Sequence, residues 1–191
     1  MTMLEKISKL VRYETPRLIL RRARVSDAQA VFEMLNDDET VRFIGAPKAN
    51  TIEDALASIN HYFLQLPRGK FLIERKVDNQ VIGSIDLRIL SEQHRFGEVG
   101  YTLNRQYTGL GYMHEALNAV VDIAFQQMHL HRLEIAHAPQ NVKSGNVIRR
   151  VSGFKYEGTL RERELLKSGE WVDHVVYSML ESDYAVMRDQ E

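Results

Sequence analysis

Cysteine is missing from all 191 residues. That absence removes disulfides, thiolate metal sites and thiol nucleophiles together, and it fits a reducing compartment. An excess of one charge is also lacking. The 25 basic and 26 acidic residues leave a formal net charge of -1 at pH 7, so no overall field draws nucleic acid or an anionic membrane. No apolar run approaches the roughly 18 residues of a membrane span. Glu5, Lys6 and Lys9 interrupt the stretch where a signal peptide needs its apolar core. The expected location is the cytoplasm, and the expected partners include neither nucleic acid nor membrane. Linkers, internal repeats and low-complexity segments are absent as well, so residues 1–191 are expected to form one domain.

What is present alternates between strand and helix patterns. Residues 18–24 open with strand-type alternation, with the Arg side chains expected outward or at an edge. Ser26-Asp27-Ala28-Gln29 reads as a capping box ahead of a helix to about Asn36. Thr51-Ile52-Glu53-Asp54 opens a second helix, closed by Pro67. Residues 71–77 and 81–90 flank Asp78-Asn79-Gln80 as an antiparallel pair, and a further strand covers 98–103. A helix follows with Met113, Leu117, Val120, Ala124 and Met128 on one stripe, then a strand over 133–138, expected parallel to the 98–103 strand. A short helix over 144–152 ends at Gly153, and strands over 154–161 and 171–180 complete the pattern, with Trp171 and Tyr177 expected in the core. The fold class is one mixed α/β domain.

Only 11 glycines occur, yet Gly109 and Gly111 sit two residues apart directly before the long helix. Free N–H groups in a helix's first turn, with the helix dipole, favour an anion, and glycine removes the side chains that would hold a phosphate away. A tight strand-to-helix turn with no ligand is the competing reading. The lysine-containing nucleoside-triphosphate loop does not occur, and a dinucleotide fingerprint would need glycine where His114 stands. A pyrophosphate carrier bound after a central strand remains, coenzyme A among them.

Gln106-Tyr107-Thr108-Gly109-Leu110-Gly111 resembles the Gln/Arg-x-x-Gly-x-Gly/Ala signature of the GNAT N-acetyltransferases. Glu14-Thr15-Pro16-Arg17-Leu18-Ile19-Leu20-Arg21, Ser26-Asp27-Ala28, Glu98-Val99-Gly100-Tyr101, Asn141-x-x-Ser144 and Gly153-Phe154-x-x-Glu157-Gly158 follow in family order and are similar to the RimJ/RimL branch. His114 departs from it, standing where many relatives carry Thr or Ser before the Glu-Ala pair.

The resemblance implies a GNAT fold, with a mostly antiparallel mixed sheet of about seven strands flanked by about four helices. Its fourth and fifth strands splay apart. It also implies acetyl-CoA as co-substrate, no metal, and direct attack by a primary amine without an acetyl-enzyme. Tyr101, Thr102 and Leu103 would present strand backbone to the pantetheine arm. Gln106, Thr108, Gly109, Leu110, Gly111, Tyr112 and Met113 would form the phosphate turn and the helix start.

By the same analogy Ser144 lies near the sulfur as proton donor and Asn141 positions the cofactor. Lys143, Arg149 and Arg150 are candidates to meet its phosphates, with Arg149 spaced to face Asn146. Glu98 and Glu157 are the candidate bases, one of them acting through water. The implied acceptor is a protein N-terminal α-amino group, as in ribosomal proteins, or a small amine. Strands of such folds often pair across a homodimer. A non-catalytic acyl-CoA-binding or sensing protein with the same fold is the alternative, and a nucleotide-binding switch is a third reading.

Overall fold

Eight strands form one sheet in the computed structural model, which describes residues 1–190. They are β1 (Arg12–Glu14), β2 (Leu18–Arg21), β3 (Lys70–Arg75), β4 (Gln80–Ser91), β5 (Phe96–Leu103), β6 (Arg132–His137), β7 (Lys155–Leu165) and β8 (Trp171–Leu180). The spatial order is β1-β2-β3-β4-β5-β6-β8-β7. Every neighbouring pair is antiparallel except β5 and β6. These two are parallel because a helical crossover joins them, as the strand-helix-strand pattern required.

The helices are α1 (Met3–Lys9), α2 (Ala28–Leu35), α3 (Asp38–Val41), α4 (Ile52–Ser58), α5 (Tyr112–Asp122), α6 (Val142–Arg150) and α7 (Glu181–Arg188). π-helical turns extend α4 to Leu64 and α5 to Gln127. The sheet therefore has one strand more than the seven expected. β1 is three residues long and shows no alternation in the sequence, while α1, α3 and α7 are short helices outside the periodic segments.

Both faces of the sheet are covered, which is why β3 reads Phe71-Leu72-Ile73 with all three side chains buried. Phe71 and Ile73 join Leu117, Val120 and Ala124 of α5, the stripe expected from helical spacing. Leu72 packs on the other face with Val31 and Leu35 of α2 and with Ile59 and Phe63 after α4. Tyr177 is in the core as expected, but Trp171, at the turn end of the β7–β8 hairpin, is exposed.

The largest departure concerns Arg21. Instead of facing outward it is buried, with Nη1 and Nη2 donating to the two carboxylate oxygens of Asp27 at 2.9 and 2.8 Å, and with Nε donating to Glu74. Asp27 also accepts from the Arg24 backbone N–H at 2.7 Å. It therefore holds an arginine and a 3-10 turn, and it makes no side-chain cap to α2. Burial of both faces of the sheet forces charges on β2 to find partners locally. Thr51 and Asp54 do form the expected capping box at α4, and Gly153 follows α6 at a φ of +92°.

The β5–β6 ladder runs from Phe96↔Arg132 to Val99↔Ile135 and then stops. Beyond it β5 continues to Leu103 paired only with β4, and β6 continues to His137 paired only with β8. The strands have splayed apart, as the family resemblance implied.

Removing one partner from a buried ion cluster strands the others. Arg21→Met is expected to cost about 3–5 kcal/mol in urea unfolding, because Asp27 and Glu74 are left buried without their cation. A change under about 1 kcal/mol would show that the cluster carries little of the stability.

Candidate active site

The splay opens two cavities that meet at its apex. The larger has a volume of about 1010 Å³ and the smaller about 530 Å³. Tyr101, Thr102, Asn141 and Ser144 line both, so these residues form the passage between them.

The smaller cavity begins with the turn that joins β5 to α5. Gly109 and Gly111 both hold φ of +79°, and Gly111 is the N-cap of α5. That conformation favours glycine, and a Cβ on Gly109 would meet nothing within 4 Å. The turn's backbone is thus left open, and the first N–H groups of α5 need partners from outside the helix. Thr102, Leu103, Thr108, Tyr112, Met113 and Asn146 complete the expected residues along this cavity.

Gln106, Leu110 and Arg149 are not among the lining residues. The Gln106 N–H donates to Asn104 Oδ1 at 3.0 Å within a 3-10 turn, and Leu110 faces solvent. Arg149 reaches Asn146 Oδ1 at 2.7 Å. His114, the departure from the signature, lies 3.1 Å from the Arg150 carbonyl through Nε2 and ties α5 to the end of α6.

Helix α6 starts two residues earlier than its sequence suggested. Asn141 is the N-cap, its Oδ1 accepting from the Ser144 N–H at 3.2 Å, so the Asn-x-x-Ser spacing is that of a cap and its third helical residue. This places the Ser144 hydroxyl inward, 2.9 Å from the Tyr101 hydroxyl. The Tyr101 hydroxyl also donates to the Ser144 carbonyl at 3.1 Å. Burial pushes the Tyr101 phenol up to about 12, so it stays protonated at neutral pH.

The larger cavity has a charged floor. Glu98 pairs with Arg88 Nη2 at 3.1 Å, and Arg88 Nε lies 3.5 Å from Asp86. Burial raises the Asp86 carboxyl, whose Oδ2 accepts a 3.2 Å hydrogen bond from the Tyr62 hydroxyl. Gly100 makes this arrangement fit, since a Cβ there would fall 2.7 Å from Asp86 Oδ1 and 3.3 Å from Arg88 Nη2.

Asp86, Arg88 and Tyr62 were not singled out from sequence. The alternation Ser84, Asp86, Arg88 is a visible signal that polar groups share one face of β4, but only the register against Gly100 and Glu98 brings them to the site. Glu157 lies elsewhere. It lines neither cavity, pairs with Arg132 at 3.0 Å and accepts from Ser178; the Ser178 hydroxyl and the Arg132 guanidinium hold it below the usual carboxylate range.

His137, at the end of β6, is also buried and was not expected. Its Nδ1 is 2.8 Å from the Ala138 carbonyl and so carries the proton, leaving Nε2 buried with no hydrogen-bond partner among the described residues.

Comparison with known proteins gives this geometry a setting. A family model described as an acetyltransferase (GNAT) domain matches residues 17–155. The uncharacterized N-acetyltransferase YoaA of Bacillus subtilis is 32% identical over 170 residues, covering 87% of this chain and 95% of that protein. The [ribosomal protein uS5]-alanine N-acetyltransferase of Escherichia coli is 26% identical over 182 residues, covering 91% of this chain and 93% of that protein. The crystal structure of a GNAT-family acetyltransferase from Bacillus anthracis superposes with a TM-score of 0.80 at 26% identity, covering 90% of this chain and 99% of that one.

Burial lowers the His137 imidazole from its ordinary 6.5; the Ala138 carbonyl opposes this, and Arg149 and His174 add to it. The unfolded chain therefore binds a proton that the folded chain resists. The His137 contribution to stability is complete above pH 6.5 and is lost as the pH falls below it. Denaturation midpoints followed downward from about pH 7 should decline less in His137→Gln than in the parent. Parallel pH profiles would remove His137 as a source of the decline.

Proposed function

The chain belongs to the GNAT acetyltransferase family, and from that premise we propose that it is an acetyl-CoA-dependent N-acetyltransferase whose acceptor is a protein N-terminal α-amino group. The observation that carries this reading is the Tyr101–Ser144 hydroxyl pair at the junction of two cavities, one beside the glycine turn and one with a charged floor.

Bound acetyl-CoA would supply an acyl group already activated as a thioester. Gly109, with open space where a side chain would sit, and the unpaired inner edge of β5 from Gly100 to Leu103 suit a phosphate and a pantetheine arm. Asn141, the N-cap of α6, and Asn146 within it would hold the cofactor. The acceptor nitrogen would attack the acyl carbon directly and form the amide bond as the carbon–sulfur bond breaks. Ser144 would give its proton to the departing sulfur and take one from Tyr101 through the 2.9 Å contact, and the proton that the nitrogen sheds on becoming an amide would return through water to Tyr101.

The amine must arrive without its extra proton, and Glu98, on the floor of the larger cavity, is the carboxylate assigned here to take it through water. Glu157 has no such position and is left out of the mechanism. The larger cavity, at about 1010 Å³, reaches the top of the range for small-molecule sites, which favours a peptide end over a lone small amine. Similarity to an enzyme named for alanine acetylation of ribosomal protein uS5 supports the same acceptor class.

Calorimetric titration with acetyl-CoA followed by thiol release against peptides and polyamines tests the proposal. Acceptor-dependent release with peptides supports it, release with polyamines alone overturns the acceptor class, and binding without release identifies a sensor. Ser144→Ala should lower turnover about tenfold or more with little change in cofactor affinity, and unchanged turnover removes Ser144 from the mechanism. Glu98→Gln should alter the pH dependence of kcat/KM where the amine is deprotonated, and an unaltered profile makes Glu98 structural.

A further inference from the structure

Among the described residues, one side chain from outside the glycine turn hydrogen-bonds its backbone. Arg17 Nη1 donates to the Leu110 carbonyl, between the two glycines, at 3.1 Å. Its Nε donates to Glu115 Oε2 at 2.5 Å, its backbone N–H to Glu115 Oε1 at 2.8 Å, and its guanidinium lies 4.6 Å from the centre of the Tyr112 ring. Nη2 sits 3.4 Å from where a Cβ on Gly111 would be. Thr15 adds a 2.5 Å hydrogen bond from Oγ1 to Glu115, and its N–H closes the β1–β2 turn onto the Leu18 carbonyl at 3.0 Å. Pro16, with no N–H and a fixed φ, carries the chain between these two anchors.

From this geometry we infer that Arg17 is a positioning residue for the cofactor: it pins the Gly109-Leu110-Gly111 backbone in its phosphate-accepting shape from the β1–β2 turn, more than 90 residues earlier. The inference rests on the proposed reading of that turn as a phosphate cradle. Two glycines give the turn its open backbone and, for the same reason, great conformational freedom in the absence of a restraint. No side chain of Gly109 or Gly111 can supply the restraint, so it must come from elsewhere.

Glu115 directs the arginine. Although burial alone would raise its carboxyl, the Thr15 hydroxyl and the Arg17 N–H groups hold it below the ordinary range, so it stays ionised and keeps the guanidinium aimed at the turn. An ion pair serving only to fasten α5 to the sheet would have no need to reach the Leu110 carbonyl. Pre-shaping the turn lowers the ordering cost that the ligand must otherwise meet on binding.

Arg17→Ala should raise both the CoA dissociation constant and the KM for acetyl-CoA about tenfold, with kcat at saturation within about twofold. Amide exchange over residues 109–113 should accelerate in the unliganded protein, while exchange in β4 stays unchanged. Arg17→Lys keeps the charge but loses the forked donor, and it should show the same weakening. It also provides the readout if the alanine variant does not fold. Unchanged affinity with unchanged exchange overturns the inference, as does an equal fall in kcat and affinity accompanied by general loss of stability. If the parent protein binds no CoA, the phosphate reading fails instead, and the exchange measurement on residues 109–113 still decides whether Arg17 pins the turn.

Discussion

The ending of one hydrogen-bond ladder governs this structure. β5 and β6 pair in parallel for four residues and then part after Val99 and Ile135, while each keeps its antiparallel partner on the other side. Parallel pairing needs a crossover, and the crossover here is the helix that starts at the glycine turn. The same connection that makes the strands parallel therefore places an anion-attracting helix start beside their open ends. Backbone groups freed by the parting would be costly if sealed from both ligand and water, and two cavities lie against them.

Charge is handled in two ways around that opening. Arg21 is buried, balanced by two carboxylates, and lines neither cavity. Asp86, Arg88 and Glu98 form a cluster of similar composition but remain on a cavity floor, packed over a glycine that leaves them room. Buried charges need paired and hydrogen-bonded partners in either case, and access to the cavity separates the enclosed cluster from the one that faces open space. Ser144 and Tyr101 add a pair of neutral hydroxyls, 2.9 Å apart, to the passage between the cavities.

Much of this was legible before any coordinates. The stripe of α5 and the left-handed glycines of the turn follow from local rules of spacing and backbone sterics, and each appears in the fold. The Asn141–Ser144 contact rests on the family motif, with Asn141 as the cap and Ser144 as the third helical residue. Misplaced residues share a different cause. For Arg21, Trp171 and Glu157, strand alternation or motif position points one way, and the strand or helix that lies opposite them decides the outcome.

The sequence by itself determined the types of the periodic elements, the parallel crossover, the glycine turn and the family, because these depend on neighbours within a few residues or on motifs in a set order. Tertiary structure alone decided which carboxylates share the cavity, that Asp86 rests over Gly100, and that Arg17 reaches Leu110. Those contacts join residues far apart in the chain through strand register and helix packing. Register is set by the burial of whole faces at once, a condition that no local stretch of sequence carries.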